Sequence, residues 1–559
     1  MARVVFKSTH QNQTSMFPYD FENFVDKDHP VRIINQIVEK LELSDVFFTY
    51  KGGGTSSYHP RMMLKVIIFG YLNNLFSSRK IERALRENIH FMWLSGQSFP
   101  DHGTINAFRG KRLKGSIDDI FKQVVLFLQA QGIVTLEEVF TDGTKIESFA
   151  NRYTFVWKKS IEKQKEKLEA KIQTVLNEIN AAIEEDNMDD KKGEGEQKAP
   201  IVSAAELNDE IERINQKLKE TKAEKTVIKK AENLQKKSLQ KLQEYELHLK
   251  ILGERNSYSK TDHDATFMRM KEDHMKNGQL KPAYNIQLST ENNFITNYTV
   301  HQNPGDTTTL QDHLNSFNEK YGTYPKRQVA DAGYGGLENY DFMEEKQIEN
   351  YVKYNYFHKE QTRKFKNDIS KPENLYYNEE GDYFICPMGQ KMRPVENGKR
   401  ETSTGYQYDV TIYEAENCST CPLRGACHKQ KGNRRIEINK RLIKHKQIAR
   451  DNLTSELGIE LRRKRNSEVE QTFGQLKSNK GFKRFLLKGI PKISVELGLI
   501  ALAHNFQKLH KHLIDNEIHE IFEQILNFLR QFIQAFKKIG DILEWLIFEK
   551  GKKYQYKTV

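Results

Sequence analysis

The sequence predicts a mixed α/β protein whose strand-bearing part follows a helical domain and contains two insertions. Apolar residues recur at helical spacing through residue 133, brief β-type runs begin after it, and 158–256 carries a heptad-like apolar seam. We therefore expect five regions: an all-helical N-terminal domain (1–133), a strand-bearing domain (134–157, 257–365 and 435–510), a helical hairpin insertion (158–256), a cysteine-containing insertion (366–434) and an amphipathic helical extension (511–559).

Composition limits the class of protein. The chain has 559 residues, of which 37% are hydrophobic, as expected for a globular protein of several domains. Its formal net charge of +12 favours a partner with a phosphate backbone. Residues 1–14 lack the apolar core of a signal peptide, and no apolar run reaches about 18 residues. These features predict a cytoplasmic protein without a membrane partner.

The N-terminal region has the start signals of several short helices. Pro30 and Pro60 suit first helical positions, Ser77-Ser78 breaks one helix and caps the next, and Asp101 precedes another. Short helices with basic residues on one face are typical of helix-turn-helix DNA readers. The candidate DNA contacts are Arg79, Arg83 and Arg109. The alternative interpretation is an ordinary helical bundle with a solvated basic face.

Two brief β-type runs end in aspartate. The run from Glu138 ends in Asp142-Gly143, and the run from Arg327 to Ala330 is followed by Asp331 and small residues. Both are predicted as strands with an acidic residue at the exit. Asp-Gly is also a turn signal, so an Asx-turn is the alternative for Asp142.

The region between these runs predicts a helical hairpin and then a pair of strands. The seam includes Ile161, Leu168, Ile172, Val175 and Ile179, and a second run includes Leu207, Ile211, Ile214, Leu218, Ile228, Leu239, Leu242 and Leu249. The polar stretch 184–200 is predicted to form a disordered tip. The seam favours an antiparallel coiled coil, which contacts either DNA or a second subunit. After it, 284–289 and 294–300 alternate as antiparallel strands, and 306–320 has helical spacing.

A basic helix is predicted around Glu470. Val469, Phe473 and Leu476 form one apolar stripe, and Lys477 lies two turns beyond Glu470 on the same side. The carboxylate and the ammonium can therefore face a common partner, such as a phosphodiester with a metal ion. A basic surface helix with one solvated glutamate is the alternative interpretation.

Two strand aspartates and one helix glutamate suit divalent metal chemistry. Mg²⁺ or Mn²⁺ prefers carboxylate oxygens, and two ions about 4 Å apart activate the attacking oxygen and stabilise the leaving one. Three nearby carboxylates repel one another without cations, so such a cluster favours a metal site.

The four cysteines form a separate pattern, which is Cys386, Cys418, Cys421 and Cys427. A Cys-x2-Cys pair with two further thiols is zinc-ribbon spacing and predicts a structural Zn²⁺ site, with His428 as a possible substitute for Cys427. Reduced free cysteines are the alternative.

The motifs around Asp142, Asp331 and Glu470, followed by Phe482-Lys483-Arg484-Phe485 and Ala503-His504-Asn505, resemble those of bacterial insertion-sequence transposases with a DDE catalytic domain. The resemblance extends from about residue 17 to 509 and implies a ribonuclease H-like fold. It implies that these three acids bind two Mg²⁺ or Mn²⁺ ions and that Lys477 contacts the transposon end.

The chain departs from the family pattern near the glutamate. The family has an arginine four residues before the glutamate and a tyrosine three residues before that arginine, where this chain has Asn466 and Arg463. Arg465 lies one residue from the expected arginine position and is the candidate DNA-binding substitute. Glu468 is the alternative for the third carboxylate.

The resemblance implies a nucleoid-associated enzyme that cleaves double-stranded DNA at transposon ends and joins the released 3′-hydroxyl to target DNA without a covalent protein intermediate. A homodimer or higher assembly on DNA is expected. The alternatives are a DDE-type nuclease without strand transfer and a non-catalytic DNA-binding coiled-coil protein.

Overall fold

The computed structural model describes residues 20–51, 56–186, 203–220, 225–270 and 279–515. Most of the predicted tip of the helical insertion and most of the C-terminal extension lie outside these residues. Within the described part of the chain, no helix is long and apolar enough to cross a bilayer.

The helices, in chain order, are α1 (Pro30–Lys40), α2 (Ser44–Phe48), α3 (Pro60–Leu72), α4 (Ser78–Glu87), α5 (Ile89–Ser95), α6 (His102–Ala107), α7 (Ile117–Ala130), α8 (Lys158–Asp186), α9 (Ala204–Glu220), α10 (Lys225–Asn233), α11 (Gln240–Leu252), α12 (Leu310–Tyr321), α13 (Leu337–Glu345), α14 (Arg363–Lys366), α15 (Arg424–Cys427), α16 (Lys440–Thr454), α17 (Glu456–Arg465), α18 (Gln471–Gly474) and α19 (Ile490–Asp515). Single 3-10 turns occupy Phe21–Phe24 and Pro372–Asn374. Segments of π-helix occupy Phe108–Arg112, Leu234–Leu239, Asn466–Glu470 and Gln475–Asn479.

The strands are β1 (Glu138–Glu147), β2 (Phe155–Trp157), β3 (Ser257–Ser259), β4 (Thr266–Arg269), β5 (Leu280–Glu291), β6 (Phe294–His301), β7 (Arg327–Ala330), β8 (Glu349–Val352), β9 (Tyr376–Asn378), β10 (Tyr383–Ile385), β11 (Lys391–Glu401), β12 (Gln407–Ala415) and β13 (Arg435–Ile438). The chain is thus a mixed α/β protein, as predicted.

The central sheet is mixed in direction. Its order is β4-β5-β1-β7-β8, and β6 pairs with the same edge of β5 as β4 does. Strand β5 runs antiparallel to β1, β4 and β6, whereas β1, β7 and β8 run parallel to one another. Because these three strands are parallel, the residues that follow β7 and β8 lie together at the carboxyl ends of the strands.

Strand β1 is longer than the sequence predicts. It continues through Asp142 and Gly143 to Glu147, so Asp142 lies within the strand, and the predictions of a strand exit and of an Asx-turn there are both wrong. Strand β1 continues through Asp142 because it pairs with β5 without a break from Phe140 to Glu147. That long-range ladder overrides the local turn preference of Asp-Gly.

The N-terminal helices and the central sheet share one hydrophobic core. Helix α19 joins them, since it packs against α3, α7 and β6 and is buried along most of its length. The Ala503-His504-Asn505 motif of α19 contributes to this packing. His504 Nε2 lies 2.8 Å from the Asn293 carbonyl oxygen. The Asn505 side chain both donates to and accepts from the backbone of Ile295, at 2.8 Å in each case.

The helical insertion has a core of its own. Among the described residues it contains α8, α9, and α10 with α11 joined by a π-helical segment, rather than two uninterrupted helices. Predicted seam residues Ile172, Ile179, Leu207 and Ile211 are buried there. Ile228 is 40% exposed, so its predicted place in the seam is wrong, and the neighbouring Val227 is buried instead.

The cysteine-containing insertion contains an antiparallel sheet in the order β13-β12-β11-β10-β9. Phe384, Met392 and Tyr413 are in its small core. The loop between β11 and β12 contacts α13, where the Tyr406 hydroxyl donates to Asp341 Oδ2 at 2.5 Å. This contact links the insertion to the helix that follows the Asp331 loop.

Candidate active site

The first acidic residue is held in the middle of the central sheet. Asp142 is 8% exposed, and its Oδ1 accepts a 2.8 Å hydrogen bond from the Gly143 amide. Strand β5 pairs with β1 through Asp142, and β7 pairs with the other side of β1 as far as Phe140, so the backbone at Asp142 is fixed.

The second acidic residue follows β7 directly. Asp331 Oδ1 accepts a 2.8 Å hydrogen bond from the Gly333 amide. The next turn is braced from outside, because Thr307 Oγ1 donates to the Gly333 carbonyl oxygen at 2.6 Å and Asn339 Nδ2 donates to the Tyr334 carbonyl oxygen at 2.9 Å. The predicted position of Asp331 after a strand agrees with the structure.

The third acidic residue lies in a helix that is not uniformly α-helical. Glu470 is the last residue of the π-helical segment that follows α17. A π-helical turn contains one more residue than an α-helical turn, so residues five apart share a side. Arg465 and Glu470 therefore lie on the same side of the helix. Arg465 is five residues before Glu470 rather than four as in the family pattern, and the extra residue of the π-helical turn compensates for this difference.

One guanidinium contacts all three carboxylates. Arg465 Nη2 lies 3.3 Å from Asp142 Oδ2 and 3.8 Å from Asp331 Oδ2, and Arg465 Nη1 lies 3.2 Å from Glu470 Oε1. The Arg465 side chain is 6% exposed, whereas those of Asp331 and Glu470 are 42% and 54% exposed. The residues predicted as far-apart ligands therefore meet around one buried cation, at a site open to solvent on one side.

The alternative third carboxylate faces elsewhere. Glu468 is 2% exposed and accepts a 2.7 Å hydrogen bond from the Asn293 amide at the turn between β5 and β6. Burial raises the pKa of Glu468, and the hydrogen bond from Asn293 opposes this rise only in part. Among the described ion pairs, Arg465 contacts Glu470 and not Glu468.

Lys353 lies near the site, although no sequence pattern pointed to this residue. Lys353 follows β8, and its amide donates to the Ala330 carbonyl oxygen at 3.3 Å, one residue before Asp331. Burial lowers the pKa of Lys353, the positive charges of Arg465 and Arg462 lower it further, and Asp331 and Glu470 oppose this. The sequence feature that could have indicated Lys353 is the β-type run 349–352. A third parallel strand there ends on the same side of the sheet as the strand that precedes Asp331.

Tyr334 was also missed. It is fully buried, and its hydroxyl donates to Gln287 Oε1 of β5. Burial raises the pKa of Tyr334 well above its usual range, and the negative charges of Asp306, Asp142 and Asp331 raise it further. Tyr334 therefore lies within electrostatic reach of the two strand aspartates and of Asp306.

The predicted DNA-contacting residues have different surroundings. Arg79 and Arg83 are exposed on α4, where Arg83 pairs with Glu87 at 2.8 Å. Lys477 is partly buried, and its Nζ donates to the Lys145 carbonyl oxygen of β1 at 3.0 Å. Arg465 contacts carboxylates, as described above.

Arg109 is not a surface residue, so its prediction as a DNA contact is wrong. It is 3% exposed and donates to the Tyr71 hydroxyl at 3.0 Å and to the Phe76 carbonyl oxygen at 2.7 Å. The negative charge of buried Glu496 on α19 also acts on Arg109. Arg109 therefore stabilises the packing of the N-terminal helices against α19.

The four cysteines line one small cavity together with His428 and Arg434. None of the four cysteines forms a disulfide. No three of their sulfur atoms lie within 4.8 Å of one another. Backbone amides donate to two of them, from Gln390 to Cys386 Sγ at 3.3 Å and from Arg434 to Cys418 Sγ at 3.4 Å. His428 Nε2 is buried and has no hydrogen-bond partner within the described chain.

A further acidic group lies between α13 and α16. Asp341, Glu344 and His445 offer ligand atoms within 4.8 Å of one another. Asp341 is already paired, however, with Arg441 at 2.9 Å and with His445 Nε2 at 2.7 Å. These contacts satisfy the carboxylate without a metal, so we interpret the group as an ion-pair network that links α13 to α16.

Comparison with family models matches two parts of the chain. The model described as "Transposase DDE domain" matches residues 385–510, and the model described as "Transposase domain (DUF772)" matches residues 19–111. The first match contains Arg465 and Glu470, whereas Asp142 and Asp331 lie outside both. No curated protein and no solved structure matches the chain.

The two matches define an enzyme of the DDE class that acts on DNA phosphodiester bonds. The matches support the identification of the chain as an insertion-sequence DNA transposase. The matched DDE domain implies a ribonuclease H-like fold, with which the mixed central sheet agrees.

Proposed function

We propose that this transposase cleaves the ends of its element and joins the released 3′-hydroxyl to target DNA, with Asp142, Asp331 and Glu470 as the metal-binding residues. The observation that carries the proposal is the contact of all three carboxylates with the Arg465 guanidinium. These side chains already converge on one cation, and a bound metal would draw their oxygens closer, since no three carboxylate oxygens of this described site lie within 4.8 Å of one another.

The donor set fits Mg²⁺ or Mn²⁺. The three residues offer only carboxylate oxygens, which these hard cations prefer. In Asp142 and Asp331, Oδ1 is bound by a backbone amide and Oδ2 is turned toward Arg465. When two such ions are bound, they activate the attacking oxygen and stabilise the leaving oxygen of an in-line displacement.

Basic side chains around the carboxylates would orient the DNA. Divalent cations would neutralise the acids, so the Arg465 guanidinium would then be available to bind phosphate oxygens in bidentate geometry. Lys353 and Lys477 add positive charge near the acids, and Arg79 and Arg83 are exposed on α4. These residues would hold the backbone, without reading sequence directly.

We also propose that the cysteine-containing insertion binds a structural Zn²⁺. Four thiols around one cavity are a soft donor set, and the backbone amides of Gln390 and Arg434 hold two of the sulfur atoms in place. The unpartnered Nε2 of His428 in the same cavity supports this residue as a candidate ligand beside Cys427.

Substitution of the acids tests the proposed function. We expect Asp331→Asn and Glu470→Gln to abolish Mg²⁺-dependent cleavage of duplexes that carry the element's own ends, because each removes a charged ligand. Binding of the same duplex, measured by electrophoretic mobility shift, should be retained. Pre-cleaved ends incubated with plasmid then measure strand transfer separately.

Glu468→Gln is the matched control, since Glu468 is only two residues from Glu470 but faces the turn between β5 and β6. A glutamine side-chain oxygen can still accept from the Asn293 amide, and Glu468 does not contact Arg465, so cleavage should persist. Cleavage that survives in Asp331→Asn with Mg²⁺ would refute the assignment of the acids.

A further inference from the structure

A fourth carboxylate lies against the backbone that follows both strand aspartates. Asp306 is in the loop between β6 and α12. A Cβ atom at Gly143 would lie 2.6 Å from Asp306 Oδ1, and a Cβ atom at Gly333 would lie 3.9 Å from Asp306 Oδ2. Asp306 therefore lies between the residue after Asp142 and the second residue after Asp331, and glycine at position 143 makes room for it.

One oxygen of Asp306 is fixed by amide groups of β5. Oδ1 accepts from Asn285 Nδ2 at 2.8 Å and from Gln287 Nε2 at 3.1 Å. Gln287 is held in turn by the Tyr334 hydroxyl, which donates to its side-chain carbonyl. These bonds orient the carboxylate before any ligand binds.

The other oxygen has no such partner. No residue that the structure describes donates a hydrogen bond to Asp306 Oδ2, and no described cation forms an ion pair with Asp306. In Asp142 and Asp331 one oxygen is likewise bound by N–H, and the second oxygen faces Arg465. Asp306 Oδ2 instead lies near Gly333, on the side of Asp331 Oδ1. A partly buried carboxylate near two others, without its own cation, is unfavourable unless a cation is supplied.

We propose that Asp306 is a fourth carboxylate of the metal centre and supplies Oδ2 as a ligand on the side of Asp331. This inference rests on the proposed metal-dependent function and extends the ligand set beyond the three acids. Its physical basis is that the β5 amides fix Oδ1 and leave Oδ2 facing Gly333, next to the Asp331 carboxylate.

Metal binding by the full-length chain without DNA tests the proposal. Mn²⁺ titration followed by electron paramagnetic resonance should show binding about ten- to a hundredfold weaker in Asp306→Asn than in the wild type. Asp312→Asn, an exposed substitution on the adjoining α12, is the matched control and should bind Mn²⁺ as the wild type does. Unchanged Mn²⁺ affinity in Asp306→Asn would overturn the proposal.

Thermal melting separates a ligand from a structural anchor. In EDTA, Asp306→Asn should melt at or above the wild-type temperature, because it removes a repelling charge while an amide oxygen can still accept from Asn285 and Gln287. A lower melting temperature in EDTA without a loss of Mn²⁺ affinity, or a chain that does not fold, would assign a structural role and overturn the proposal.

The failure of this proposal can be distinguished from failure of the proposed function. Mn²⁺ binding that is lost in Asp331→Asn but unchanged in Asp306→Asn would overturn the fourth ligand alone. A wild-type chain that binds no Mn²⁺ would overturn both.

Discussion

At the scale of single residues, Arg465 determines the geometry of the candidate site. It is the buried cation between three acids, one buried and two about half exposed. Its position depends on the π-helical segment that ends at Glu470, because a regular α-helix would place a residue five positions away on another side. A local irregularity of the helix thus creates the contact.

Removal of this cation should make the fold depend on divalent metal. We expect Arg465→Gln to lower the free energy of unfolding in EDTA by about 3 kcal/mol, because buried Asp142 loses its charged partner. Mg²⁺ should stabilise this variant more than the wild type, since the ions then replace the neutralising charge that Arg465 supplies at the acids. Thermal melting with and without Mg²⁺ measures both effects.

Arg463→Gln is the matched control for this experiment. Arg463 is exposed on the same helix, so its substitution should change stability by no more than about 0.5 kcal/mol. Equal Mg²⁺-induced stabilisation of Arg465→Gln and the wild type would show that Arg465 and the metal do not share a position.

At the scale of elements, the cysteine-containing insertion supports the site indirectly. Its β11–β12 loop binds α13 through Tyr406 and through Thr404 Oγ1, which donates to Glu338 Oε2 at 2.6 Å. Helix α13 follows the loop that carries Asp331. An insertion folded around zinc would therefore hold this helix, and loss of the metal would loosen it.

We expect the purified protein to contain about one Zn²⁺ per chain and Cys418→Ser to contain none, because a closed structural site needs four ligands. Ser419→Ala is the control, as its exposed hydroxyl bonds only to Asn417. Elemental analysis measures the zinc. Loss of zinc in Cys427→Ser but not in His428→Ala would identify the fourth ligand as the thiol, and wild-type protein without zinc would contradict the proposal.

At the scale of the whole molecule, the sequence was most informative where local pattern determines structure. The buried stripe of Val469, Phe473 and Leu476 and the strand before Asp331 are present as predicted. The path of β1 through Asp142 depends on pairing with β5, which is more than 130 residues away along the chain. No local pattern contains that information.

Burial of charged residues was equally hard to predict. Arg109 and Arg83 both lie in basic helical segments, yet one is buried near Glu496 and the other is exposed. Asp306 and Lys353 reach the site through loops whose ends meet only in the folded sheet. Their roles followed from tertiary contacts rather than from spacing.

In the proposed site, acids distant in sequence share bound metal, and localised radical cleavage tests this arrangement most directly. Fe²⁺ substituted for Mg²⁺ and treated with ascorbate and peroxide should cut the backbone near Asp142, Asp331 and Glu470, and excess Mg²⁺ should suppress all three cuts. Mass spectrometry locates the cuts. Cuts confined to Asp341 and His445, or cuts at only one of the three acids, would contradict the account.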